Sequence, residues 1–444
     1  RRRLAMKPAC KWMGVASLVA VLLAFGSAAL AQAPAAQQGQ QAPGYTLAEY
    51  NSYQAAHNEQ NPQQKIRLLD GFIAQYQTPA LLPFVYRDYY LTYYGLRNYS
   101  KTIEYVDKYL ALGDKVDAPG RLQALVARGQ AYFAGSTDSA LQAPEMLAKT
   151  REASAAGLAA VAAWQKPANA TDEQFAAQKK SIGLLFNSVA GIVQSHMKDH
   201  KGAQASYQAA LALDPNDALT HYRLGVAYLQ DTPPQATEGF WELARSIALK
   251  APGEAQLRTY LRNQLLQYQQ PGCDKLADEQ INQTITLATS SQARPADFSI
   301  PSAQDLQAAR DDPGSLLPAL QEGGRRGQTM WLATCGSEYP DVAVRVMEVV
   351  PGEADMLTLR VFRAATEVEM QAATAPNMEV HVVAQPEARR ISKDEYIRFT
   401  GTLTGYQPTP FLLTWDESKV NAEDIPPETA APGRRGAAPA RPGA

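Results

Sequence analysis

Residues able to do chemistry are sparse in this chain of 444 residues. Two of its five histidines, His196 and His200, stand four positions apart, a spacing that on one helical face could clasp a metal ion. No glutamate completes a zinc-protease motif, and the pair falls beside a turn where polar side chains face water, so a solvated turn is the reading. Gly323-Gly324-Arg325-Arg326-Gly327 has the composition of an anion cradle, but no strand leads into it and a flexible hinge is expected. The sequence contains no G-x-S-x-G elbow, no G-x-x-x-x-G-K phosphate loop, no C-x-x-C and no haem-attachment motif. Dispersed carboxylates single out no acid–base pair. No catalytic residue, metal ligand or cofactor is therefore assigned, and the chain does not read as an enzyme.

The larger signal is a repeat. Gly191 and Gly225 stand 34 positions apart. Around the first lie Ala190, then Gly202, Ala203, Tyr207, Ala210, Leu211, Leu213 and Asp214-Pro215. Around the second lie Leu224, Tyr228, Trp241 and Ala244. Small residues at such positions let antiparallel helices approach, aromatic ones fill the space between pairs, and Pro215 ends a helix it cannot continue. With L-G-x-x-Y in one helix and A-x-x-x-Y-x-x-A-L-x-L-x-P in the other, the unit resembles the tetratricopeptide-repeat (TPR) family. The clearest copies span 184–217 and 218–252. Weaker ones lie upstream: one has Gly129 and Tyr132 and a lengthened second helix, one has Tyr86, Tyr89, Tyr90 and Tyr93 with Tyr90 where a small residue is expected, and the first covers 46–76. About five units are expected over 45–252, with helices in 253–292 capping the open end of the array.

The resemblance implies an α-solenoid whose first helices line a concave groove that holds an extended peptide or a partner helix. The groove-facing positions would be Leu185, Ser188, Ile192, Ser195 and His196, then Leu219, Tyr222, Val226 and Gln230. They carry no Lys or Arg clamp for an acidic terminus, and the apolar ones could equally pack against neighbouring helices.

The ends of the chain add an address. Arg1, Arg2, Arg3, Lys7 and Lys11 precede the apolar run 12–25, and Ala29-Leu30-Ala31 supplies a small-x-small cleavage site, the order of a secretory signal peptide over 1–31. The run is short for a span, which takes roughly 20 apolar residues, so no stable membrane insertion is expected after cleavage. A flexible leader follows at 32–44, and a periplasmic or secreted location is the expectation. Cys273 and Cys335 would remain in the exported chain, either paired or as two buried thiols.

Beyond a linker at 293–327 the period changes. Short alternating or apolar runs at 341–350, 356–362, 378–383, 396–404 and 411–420, separated by Pro and Gly, behave as strands of a small barrel or sandwich over 328–425. Gly401 within a run would permit a bulge, and the shape is similar to an OB-type barrel. The fold class is thus mostly α, a TPR solenoid, with a small carboxy-terminal all-β domain and a disordered tail at 426–444. Over the whole chain 42 Lys and Arg balance 44 Asp and Glu. In 328–425 there are 8 Lys and Arg against 15 Asp and Glu. Phosphate neutralisation needs the reverse, so nucleic acid is not an expected partner. A protein or peptide ligand is, the chain acting as an exported adaptor. The alternative is an enzyme or glycan-binding module with its site in the strand domain.

Overall fold

The computed structural model describes residues 44–76, 80–352, 356–364 and 366–428. The expected signal peptide, the leader up to residue 43 and the tail from 429 lie outside the described residues. The chain divides into two compact units, one built from residues up to 258 together with 284–298, the other from 259–283 and 299 onward.

In the first unit ten helices form five antiparallel pairs: α1 (Leu47–Asn58) with α2 (Pro62–Gln75), α3 (Leu82–Gly95) with α4 (Tyr99–Leu110), α5 (Ala118–Gly135) with α6 (Pro144–Ala163), α7 (Asp172–His196) with α8 (His200–Leu213), and α9 (Ala218–Leu229) with α10 (Ala236–Ala248). Their starts are marked in the sequence by side chains that satisfy otherwise orphaned amides. Thr46, Asn61, Asn98, Asp117, Asp199 and Asp217 each accept from a backbone N–H two or three residues on. Thr171 and Gln174 form a reciprocal capping box that starts α7 twelve residues ahead of the expected repeat boundary at 184.

Aromatic residues fill the joints. Tyr89 stacks on Tyr105 with ring centroids 4.1 Å apart, and its hydroxyl donates to Asp70 Oδ1 at 2.5 Å. Tyr90 occupies a position where the repeat pattern wants a small residue. It is nevertheless buried, packing edge-on against Tyr109 and beside Ala124 and Ala127, so the small residues have moved to the opposing helix. Further along, α11 (Glu254–Gln269) and α12 (Lys275–Ser290) follow. Ala288 packs with Trp241 and Ala244 of α10, and the Arg245 guanidinium donates to the Ala288 carbonyl at 2.6 Å.

The second unit carries α13 (Ala303–Arg310), α14 (Leu316–Glu322) and α15 (Gly324–Thr334), followed by β1 (Glu338–Pro351), β2 (Leu357–Phe362), α16 (Glu367–Ala372), β3 (Met378–Val382), β4 (Tyr396–Pro408) and β5 (Phe411–Val420). The linker expected at 293–327 is thus largely helical, and the Gly-rich hinge is the start of α15. Gly327 is needed there for close approach: a Cβ would stand 2.9 Å from the Ala319 carbonyl of α14. The five strands close a barrel in the order β1-β2-β3-β5-β4, with β3 and β5 parallel and the other pairs antiparallel. Strict alternation in β2 and β3 sends Leu357, Leu359, Val361, Met378, Val380 and Val382 inward, around Phe399, Leu403 and Trp415. Gly401 sits where the β4–β5 register shifts, and the Ser418 hydroxyl occupies the space a Cβ would need. Cys273 and Cys335 are joined in a disulfide, which settles the two alternatives for these thiols.

Candidate functional site

Helix α9 is held in place by polar contacts at one end and by close packing in the middle. Asp217 accepts from the Leu219 and Thr220 amides. The His221 ring lies between Glu242 Oε2 of α10 and the Pro215 carbonyl, at 2.5 and 3.0 Å. Gly225 and Gly239 then let the α9 and α10 backbones meet: a Cβ on Gly225 would come within 2.9 Å of the Gly239 carbonyl. One pair earlier, the ring of Tyr207 from α8 covers Gly191 of α7. These small and aromatic positions are the ones the repeat pattern requires.

A family model described as TPR repeat matches residues 197–231, which take in all of α8 and α9. The chain carries a tetratricopeptide repeat. No curated protein and no solved structure matches it. The matched repeat lies within an array of five antiparallel helix pairs, and arrays of such repeats commonly serve as protein–protein interaction scaffolds.

Within the helical array, the expected groove residues divide by helix. On α7, Leu185, Ser188 and Ile192 are only 3%, 3% and 6% exposed, and Leu185 and Ile192 share a core with Leu122, Leu125 and Val126 of α5. Their assignment to an open groove is corrected: α5 covers this face of α7. Ser195 donates to the Gly191 carbonyl at 2.8 Å and meets the Tyr207 hydroxyl at 3.3 Å, so its polar atom is engaged internally. His196 lies at the surface with Nδ1 3.4 Å from the Tyr132 hydroxyl of α5, and partial burial pulls its pKa below the ordinary imidazole value. On α9, Leu219, Tyr222 and Val226 are half-buried and Gln230 is exposed. Of the expected groove residues, His196 and Gln230 are exposed and Leu219, Tyr222 and Val226 are partly so.

Two residues not anticipated from sequence belong to the same neighbourhood. The Arg223 guanidinium of α9 lies 4.8 Å from the centroid of the Phe133 ring of α5, a cation–π contact. Burial lowers its pKa, and among the described residues it forms no ion pair. The only sequence signal was a cation set between Tyr222 and Leu224 inside an otherwise apolar turn.

The His196–His200 pair does not present one helical face. Helix α7 stops at His196, Lys198 takes a positive φ of 62°, and His200 opens α8. Among the described residues no group of three or more His, Cys, Asp or Glu could hold a metal ion, and no helix is long and apolar enough to cross a membrane. On the barrel, His381 Nδ1 and Thr404 Oγ1 both bond Asp416, each at 2.6 Å. Burial works against the charged Asp416 carboxylate, but these two partners outweigh it and its pKa is lowered. The hydroxyl bonds the carboxylate rather than the imidazole, so this trio is not a nucleophile paired with a base.

Proposed function

We propose that this protein is an exported, non-catalytic adaptor whose TPR array grips a protein or peptide along the first helices. The observation that carries the reading is the α9 surface of the matched repeat, where Leu219, Tyr222 and Val226 stay half-exposed beside Gln230. Export is supported by the ordered basic, apolar and small-residue signals of the first 31 residues and by the Cys273–Cys335 bond, a linkage that persists in oxidising compartments.

The test is capture from the exported fraction with the full chain as bait, followed by binding of each captured partner to Val226→Asp and to a chain lacking 328–425. A partner retained without 328–425 and lost with Val226→Asp supports the reading. Equal binding of every partner to Val226→Asp overturns it. Recovery of the chain with its first 31 residues intact in the cytoplasm overturns export.

A further inference from the structure

Arg223 of α9 is a charge for which this chain supplies no acceptor. Its guanidinium lies over the Phe133 ring of α5, 4.8 Å from the centroid. That contact engages the positive charge and no N–H group, so the donors of the guanidinium stay free to bond. Among the described residues none of them does: Arg223 makes no hydrogen bond and no ion pair. The other arginines of this unit that are not exposed differ. Arg121 donates to the Gly113 carbonyl, Arg128 to Asp107 and Thr150, Arg245 to the Ala288 carbonyl and Arg258 to Glu254. Arg223 is half-buried rather than sealed, so an acceptor from outside can reach it.

The helices around it are also free of competing acids. Helices α5, α8 and α9 and residues 174–196 of α7 contain no Asp or Glu, while Arg121, Arg128, Lys179, Lys180 and Arg223 all lie on α5, α7 and α9. The carboxylate whose charge reaches Arg223 is Asp217, and it is committed as the cap of α9, accepting from the Leu219 and Thr220 amides and from the Thr220 hydroxyl. A negative charge brought to Arg223 therefore meets attraction without repulsion from these helices. The residues beside it are apolar or aromatic. Leu219, Tyr222 and Val226 stand four and one positions before Arg223 and three after it, the spacing of one side of a helix, and all three are half-buried. A nucleic acid or polyanion needs several free cations together, whereas one guanidinium among apolar side chains suits a single carboxylate on an apolar stretch of chain.

We infer that this side of α9 recognises an acidic side chain, Asp or Glu, within an otherwise apolar segment of the partner, the carboxylate on the Arg223 guanidinium and its apolar neighbours against Leu219, Tyr222 and Val226. The inference rests on the adaptor reading and adds to it the chemistry of the partner.

The experiment pans the full chain against random dodecapeptides, acetylated and amidated so that neither end is charged. Binders are expected to share one Asp or Glu flanked by apolar residues, and changing that residue to its amide should weaken binding about tenfold or more. Arg223→Gln should erase the difference between acid and amide. Arg223→Glu should turn the shared residue into Lys or Arg, a reversal that a purely structural arginine would not produce. No binder at all, binders without a shared acid, or an acid and amide of equal affinity overturn the inference. If binders without a shared acid are still lost with Val226→Asp, the adaptor reading stands while this inference falls; binders indifferent to Val226→Asp overturn both. Should Arg223→Glu unfold by helical circular dichroism, the acid-to-amide ratio decides, measured with the unmodified chain and with Arg223→Lys, which should keep it.

Discussion

The ring of Tyr207 in α8 occupies the space that a Cβ on Gly191 in α7 would need. Neither residue can change alone: the glycine allows the ring in, and the ring fills the gap the glycine leaves. Gly191→Ala is expected to destabilise the helical unit by about 1–3 kcal/mol through overpacking, more than the modest gain a helix derives from alanine. Thermal unfolding followed by helical circular dichroism checks this, and a midpoint unchanged or raised would contradict the packing described.

Alkaline pH should loosen the same unit. Burial, with repulsion from Tyr207 behind it, pushes the Tyr132 phenol up to about 12. Tyr89 is raised further, by burial and then by its bond to Asp70. A raised phenol pKa means that the unfolded chain, titrating near 10, releases its proton first. The stability associated with the neutral phenols is full below pH 10 and is lost as pH climbs through 12, on the order of 2 kcal/mol from Tyr132. Absorbance of tyrosinate and loss of helical dichroism should rise together above pH 10, and Tyr132→Phe should shift the dichroism transition upward.

The Cys273–Cys335 bond closes a loop of 62 residues. By chain entropy such a closure contributes about 4 kcal/mol, within the usual 2–5 kcal/mol range for a native disulfide. Replacing both cysteines by serine should lower the melting transition of the barrel unit while leaving that of the helical unit in place. Mass analysis of the unreduced chain should show two hydrogens fewer than the reduced one.

Acid should act on the barrel through Asp424. The Arg398 guanidinium beside it, at 3.0 Å, holds its carboxyl below the usual range, and the Arg398 amide adds a bond at 2.8 Å. The depressed pKa places this stabilisation above the ordinary carboxylate value near 4 and removes it as pH falls further. Asp424→Asn should be less stable than the parent at pH 7 and should narrow that gap at pH 3.

Much of this fold was legible because steric rules leave marks in sequence. The 34-residue step between Gly191 and Gly225, the aromatic plugs and the alternation in β2 and β3 are each required by close packing, and each is visible. What escaped has a physical reason. A helical stripe shows which face is apolar but not whether solvent or another helix covers it, so Leu185 and Ile192 looked like groove residues until α5 was seen against them. Gly324 and Gly327 read as a hinge because glycine disfavours helix, yet at Gly327 the missing side chain serves the approach of α14. The start of α7 was marked by Thr171 and Gln174, a capping pair outside the repeat signature. Arg223 carried almost no signal, since its contact with Phe133 joins helices distant in sequence.

The cystine also has a mechanical meaning. Glu338 opens β1 three residues after Cys335, so a pull on the barrel reaches Cys335 directly after the first strand. From there tension crosses the sulfur bridge to Cys273 and runs on toward α11. Along the covalent chain the segment between the two cysteines is bypassed by the bridge, and reducing it would put that segment in series with the load.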